Sequence, residues 1–200
     1  MALVSSNNKV LVEAYAPAEG TVRLIKQAAL VVAGIALLAV MAKIKIPMWP
    51  VAISMGTFAV LTIGAAYGPR LGLVTIMGYM ILGALGMDLF QNSSAEVNGL
   101  TYMMGGTGGY LVGYVLAVVL MGYAARAGWD RSVGKMALAM LAANAVMYIP
   151  GVLWLGQLYG FDQPILQWGL YPFLIGDALK LALAALLLPA LWKLIGSART

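Results

Sequence analysis

The chain has 200 residues, 62% of them hydrophobic and 10% charged, with a mean hydropathy of +0.92, whereas a soluble domain carries roughly 25% charged residues. It belongs in lipid, and its lack of cysteine and histidine excludes disulfides, thiolate nucleophiles, thiol-ligated zinc and imidazole acid–base chemistry. The net charge of +5 is read as basic loops that orient the chain in a membrane, not as a nucleic-acid surface.

A helix needs roughly 20 apolar residues to cross a hydrocarbon core about 30 Å thick, so this length accommodates six spans joined by short loops. No room remains for a soluble catalytic or nucleotide-binding domain. The expected class is an all-α integral membrane protein, with a polar tail over residues 1–22, one six-helix transmembrane domain over 23–195 and a short tail over 196–200.

Residues 1–22 are polar and irregular, with Asn7, Asn8, Lys9, Glu13, Pro17, Glu19 and Gly20, and are expected to hold at most a short surface helix. The first span, 23–43, is too long for a signal-peptide core and lacks a small-residue cleavage pattern, so it is read as retained. Lys45-Ile46-Pro47-Met48-Trp49-Pro50 breaks it, because proline lacks an amide donor and restrains its predecessor. A second span covers 51–67 and ends at Gly68-Pro69-Arg70, a tight turn. The third covers 71–87.

A long loop over 88–107 follows, closing on Gly105-Gly106-Thr107-Gly108-Gly109. The fourth span is 110–126, and Gly128-Trp129-Asp130-Arg131 turns the chain into a fifth, 133–158, which Pro150-Gly151 is expected to kink. A loop over 159–167 leads to the sixth, 168–194. Lys9, Arg23, Lys26, Arg70, Arg126, Arg131, Lys135, Lys193 and Arg199 fall on one side of the membrane, against Lys43 and Lys45 on the other. Positive charge collects on the cytoplasmic side, so both termini are expected there. The three loops 44–50, 88–107 and 159–167 then share the outer face.

Lys180 belongs to neither group: with Asp177 it lies inside the sixth span, where a charge costs several kcal/mol unless paired or placed in a polar cavity. The i, i+3 spacing puts both on one face, about 5–6 Å apart at Cβ and, for Asp177, roughly 12 Å from the outer end of the helix. Two readings are open: an ion pair that locks helix packing, or a polar wall for a ligand that offers N–H and C=O groups side by side, as a cyclic urea does. Asn144 and Tyr148, one turn apart in the fifth span, are either further ligand contacts or interhelical glue. The Gly105–Gly109 run has no Gly-Lys-Ser/Thr ending and is no phosphate cradle; its glycines let backbone approach the mouth of a cavity. Ala29 and Ala33, one turn apart in the first span, allow close helix approach, within the molecule or to another membrane subunit.

Pro50-Val51 with Ser54 and Thr57-Phe58-Ala59-Val60-Leu61, Gly68-Pro69-Arg70-Leu71-Gly72, Leu82-Gly83-Ala84-Leu85-Gly86, Gly106-Thr107-Gly108-Gly109-Tyr110-Leu111 and Gly176-Asp177-Ala178-Leu179-Lys180, in this order, resemble the BioY family of biotin-specific S components of energy-coupling factor (ECF) transporters. The resemblance spans residues 44–185. It implies an S-component fold in the prokaryotic cytoplasmic (inner) membrane, capture of biotin near the outer surface, and import after docking with a transmembrane coupling protein that carries two ATPase subunits. It further implies that Asp177, Lys180 and Asn98 contact biotin, with Gly108, Gly109 and Tyr110 in the glycine-rich segment beside it, and that Ala29 and Ala33 meet the coupling protein. The sequence departs from the family pattern at Gly56, where a glutamine is common, and at Leu111, an arginine in some members. On this reading the protein has membrane lipids as its surroundings, and no metal, cofactor or catalytic residue. An intramembrane enzyme acting on a lipid or isoprenoid through Asp177 and Lys180, and a carrier that needs no ATPase, are the competing functions.

Overall fold

The computed structural model describes residues 9–15 and 19–197. Five of its helices are long and apolar enough to cross a membrane. In chain order the elements are α1 (Leu11–Tyr15), α2 (Gly20–Lys43), strands β1 (Lys45–Ile46) and β2 (Ile53–Ser54), α3 (Gly56–Ala84), α4 (Gly99–Met103), α5 (Gly108–Arg126), a 3-10 turn (Trp129–Arg131), α6 (Val133–Tyr159), α7 (Ile165–Gly169) and α8 (Tyr171–Ser197).

Helix α3 is two arms. Gly68 takes φ 79° and ψ 175°, a region glycine enters without steric cost, and Pro69 behind it has no N–H to continue the ladder. A Cβ added to Gly72 would lie 3.5 Å from the Gly64 Cα, whereas eight residues of straight helix span about 12 Å. The arms therefore double back on each other at the expected Gly68-Pro69 turn. The first arm starts at Gly56, five residues later than the sequence suggested. Residues 45–54 instead form an antiparallel hairpin in which Lys45 faces Ser54 and Ile46 faces Ile53. The two-residue strands are a local departure from the expected loop, and the chain remains mostly helical. Pro47 and Pro50 bar a helix, and strand pairing satisfies backbone groups that a loop would leave without partners.

Two expected loops also carry helix: α4 lies within 88–107, and α7 begins in 159–167 and runs into the first residues of the expected sixth span. The expected sixth helix is interrupted at Leu170, where the backbone leaves helical geometry (φ −132°, ψ −60°), and α6 runs on past Pro150 to Tyr159.

Helix α5 is the hub, and small residues are the reason. A Cβ on Gly109 or Gly113 would come within 2.3 Å of the Pro150 carbonyl and 2.6 Å of the Met147 carbonyl of α6, and one on Gly122 within 2.3 Å of the Pro69 nitrogen. Backbones approach this closely only where no side chain intervenes. Helix α2 stands at the edge, with Val22, Leu24, Ile25, Val32 and Val40 exposed, a surface suited to lipid tails.

At the end of the bundle where α3 turns back, α1 packs onto the helices, with Val10 fully buried and Ala14 nearly so. Arg126 donates to both carboxylate oxygens of Glu13 at 2.7 and 2.6 Å, and Lys26 Nζ donates to the Val12 carbonyl at 2.6 Å. The expected N-terminal tail is thus docked over residues 9–15; its residues 1–8 and 16–18, and 198–200 of the C-terminal one, lie outside the described residues. Nearby, Trp192 Nε1 donates to Asp130 Oδ2 at 2.6 Å and the Arg131 guanidinium sits 4.4 Å from the Trp192 ring centroid, tying the 3-10 turn to α8.

Gly122→Ala is expected to lower the thermal midpoint of the detergent-solubilised protein, at a cost of about 1–3 kcal/mol for overpacking. Gly134→Ala, which meets nothing within 4 Å, should raise it slightly through helix propensity. Melting curves of the two variants beside the parent check both.

Candidate functional site

One face of α8 is buried. Phe173, Asp177, Lys180, Ala184 and Leu188 recur every three or four residues on it, while Ile175, Leu179, Leu183 and Leu186 face outward. The two charges therefore sit on the inner stripe of an otherwise apolar helix, with side chains only 6% (Asp177) and 9% (Lys180) exposed. Lys180 Nζ lies 3.0 Å from Asp177 Oδ1 and donates to Thr57 Oγ1 at 3.0 Å. The Tyr148 hydroxyl of α6 donates to Asp177 Oδ2. The pair is thus hydrogen-bonded to α3 and α6, the condition under which a buried ion pair is tolerated.

Beside it opens a cavity, at the end of the bundle opposite α1. Lys180, Thr57, Tyr148 and Phe173 form part of its wall, with Ser54, Gly56, Gln91, Thr107, Tyr79, Tyr102, Tyr110 and Tyr114. Aromatic rings dominate, and they are anchored: Tyr110 donates to the Gly169 carbonyl at 2.6 Å, and Tyr79 to the Leu89 carbonyl at 3.1 Å. Phe90 stacks on Tyr102 at 4.9 Å between centroids. A hydroxyl whose proton goes to protein is left facing other partners as an acceptor, so Tyr79, Tyr110 and Tyr148 add acceptors to the wall and Lys180 adds a cationic donor. Such a mixture of aromatic surface and a few oriented polar groups is what small-molecule sites use.

The segments over the cavity are cross-tied. Lys43 Nζ meets Asp88 Oδ1 at 2.5 Å, holding that carboxyl below its usual range together with the Ser93 hydroxyl. Lys45 donates to the Gln91 carbonyl and to Asn92 Oδ1 at 2.7 Å, so the β hairpin is fastened to the loop that supplies Gln91 and Phe90. Trp49 stacks edge-on against Tyr159 and Trp168, 5.4 and 5.1 Å away. At this end Tyr102 is buried enough to raise its phenol above the ordinary range.

Of the residues singled out from sequence, Lys180, Tyr148 and Tyr110 reach the cavity wall. Asp177 stands behind it, bonded to three wall residues. Asn144 is buried one turn before Tyr148, and its Oδ1 has no hydrogen-bond partner among the described residues. Gly108 and Gly109 are packed against Met103, Trp154 and Pro150 and serve helix approach instead of lining the cavity. Asn98 opens α4, its Oδ1 3.9 Å from where a Cβ on Gly86 would lie, and is not among the residues of the cavity wall. Ala29 and Ala33 lie on the exposed face of α2. Thr57, Tyr114, Tyr102 and Gln91 also line the cavity and were not expected there; the available signal was a set of tyrosines and threonines inside or beside apolar spans.

A membrane-embedded helical bundle with an aromatic and polar cavity set into one end is a solute-binding membrane protein. Residues 9–197 match the family described as the BioY family, and the chain belongs to it. It is similar to the probable biotin transporter BioY of Pyrococcus horikoshii, 34% identical over 81% of this chain and 93% of that one. The biotin transporter BioY of Thermotoga maritima is 32% identical over 82% and 96%. The fold of the present chain matches the crystal structure of the S component for biotin from an ECF-type ABC transporter, with a TM-score of 0.71 at 19% identity, covering 88% of this chain and 95% of that one. The protein is thus a multi-pass protein of the prokaryotic cytoplasmic membrane.

Lys180→Met and Asp177→Asn each leave a buried polar partner unmatched and should each lower the thermal midpoint, at a cost of about 3–5 kcal/mol. The double variant removes both charges and should recover most of that loss. Melting of the single and double variants decides it; a double variant no more stable than either single would contradict the coupling.

Proposed function

We propose that this protein is the substrate-binding subunit of a biotin importer. It captures biotin from the outer side of the membrane, with Lys180, Tyr148 and Tyr110 in contact and Asp177 and Asn144 supporting them, and delivers it inward using ATP hydrolysed by partner subunits. The observation that carries the reading is a buried ion pair whose lysine borders open space: a purely structural pair would be closed in by protein on every side. Biotin presents a cyclic urea with two N–H donors and a carbonyl acceptor, and a carboxylate on an apolar chain. The wall offers phenol acceptors, one ammonium and several aromatic faces, which complement those groups. The names of the relatives support the same ligand.

On this reading the chain crosses the membrane six times, α3 contributing two crossings through its reversal at Gly68, and both ends are cytoplasmic. That orientation turns the cavity and its cross-tied segments outward and is supported by the excess of basic residues at the α1 end. Docking to a transmembrane coupling protein through the exposed small residues Ala29 and Ala33 on α2, with two ATPase subunits beneath, completes the importer. The protein itself acts as a transporter subunit and not as an enzyme; ligand and partner act by favouring different conformations of the bundle.

Purified protein in detergent should bind biotin at one per chain, ahead of desthiobiotin, thiamine and riboflavin, and Lys180→Met should weaken biotin binding at least tenfold; titration calorimetry measures both. Equal affinity for all four compounds would end the biotin reading. Because the chain has no cysteine, single cysteines report topology: Asp88→Cys should react with an impermeant maleimide added to intact cells, and Ser132→Cys only after lysis.

A further inference from the structure

Lys180 extends four methylenes from the backbone of α8, and a lysine of this kind is a mobile point charge unless its protons are spoken for. Two of its three N–H groups have partners: Asp177 Oδ1 and Thr57 Oγ1, each at 3.0 Å. These partners differ in what they fix. Asp177 lies one turn away on the same helix and moves with Lys180 whenever α8 shifts. Thr57 comes from the first turn of α3, directly after the hairpin, and lines the cavity as Lys180 does. It is the tie that sets the ammonium against the opposite wall.

The Thr57 hydroxyl also faces Asp177 Oδ1, at 3.5 Å, while Oδ2 is occupied by Tyr148. Its proton is turned toward the carboxylate and its lone pairs toward the ammonium, the arrangement that satisfies both charges. If it were lost, the ammonium would retain Asp177 alone and could turn its remaining protons through a cone around that one contact.

We propose that Thr57 is a positioning residue for ligand capture: its hydroxyl aims the third N–H of Lys180 into the cavity, where it meets the acceptor oxygen of the bound solute. This rests on the reading that Lys180 binds biotin, and adds that affinity depends on a hydroxyl at position 57 acting through that lysine. A hydroxyl from serine suffices. A valine, nearly the same shape, does not.

The test measures biotin affinity of the detergent-solubilised protein in five forms: parent, Thr57→Ser, Thr57→Val, Lys180→Met and the Thr57→Val/Lys180→Met double variant. Thr57→Val is expected to weaken binding roughly tenfold or more, the scale of a hydrogen bond to a charged group, and Thr57→Ser to stay within about threefold of the parent. In the Lys180→Met background Thr57→Val should cost nothing further, because a residue acting through the lysine has nothing left to aim. Parent-like affinity in Thr57→Val, or losses that multiply in the double variant, overturns the proposal. Should Thr57→Val not fold, as judged by melting, Thr57→Ala against Thr57→Ser carries the same comparison. Parent-like affinity in Lys180→Met alone overturns the site reading itself, an outcome distinct from a failure confined to Thr57.

Discussion

A charged pair held inside a lipid-embedded bundle is the constraint around which the rest of this molecule is arranged. Neither Asp177 nor Lys180 can face hydrocarbon at tolerable cost, so α8 must turn that stripe inward, and Ile175, Leu179 and Leu183 are left to meet lipid. Inward, the pair needs partners from other elements. Thr57 supplies one from α3 and Tyr148 one from α6, so a single electrostatic requirement draws three helices to a common point. The cavity lies at that point, and its polarity follows from the groups gathered there.

The close approach that makes such convergence possible comes from α5. Its glycines let the backbones of α3 and α6 lie almost against it, while Tyr110 and Tyr114, each following one of those glycines, turn to the cavity. Packing in a membrane lacks the hydrophobic drive that holds soluble helices together, and relies on such contacts and on interhelical hydrogen bonds. Here the two share one stretch of α5, where Gly109 and Gly113 pack against α6 and the alternating Tyr110 and Tyr114 line the cavity.

Much of this was legible in the residues. The turn at Gly68-Pro69 was, because a glycine free to take positive φ followed by a proline with no amide donor is a strong stop for a helix. So was the buried pair, because two charges in a span stand out against apolar neighbours. The hairpin over 45–54 was not, since each strand is two residues long and carries no alternating pattern; nor were α4 and α7, each five residues long, too short to show a helical period. Thr57 and Tyr114 escaped notice as site residues because a threonine or tyrosine in an apolar span looks the same whether it faces lipid, a neighbouring helix or a cavity. Gly108 and Gly109 read as loop residues at a cavity mouth, and the structure packs them against Met103, Trp154 and Pro150.

The sequence by itself determined the medium, the approximate number and place of the apolar helices and the presence of one costly charge pair, because all three depend on local composition and on spacing within a single helix. Which hydroxyls reach that pair, which tyrosines wall the cavity and which glycines are packing surfaces were decided only by tertiary structure, because each depends on the distance between helices far apart in the chain, and that distance is set by side chains on both.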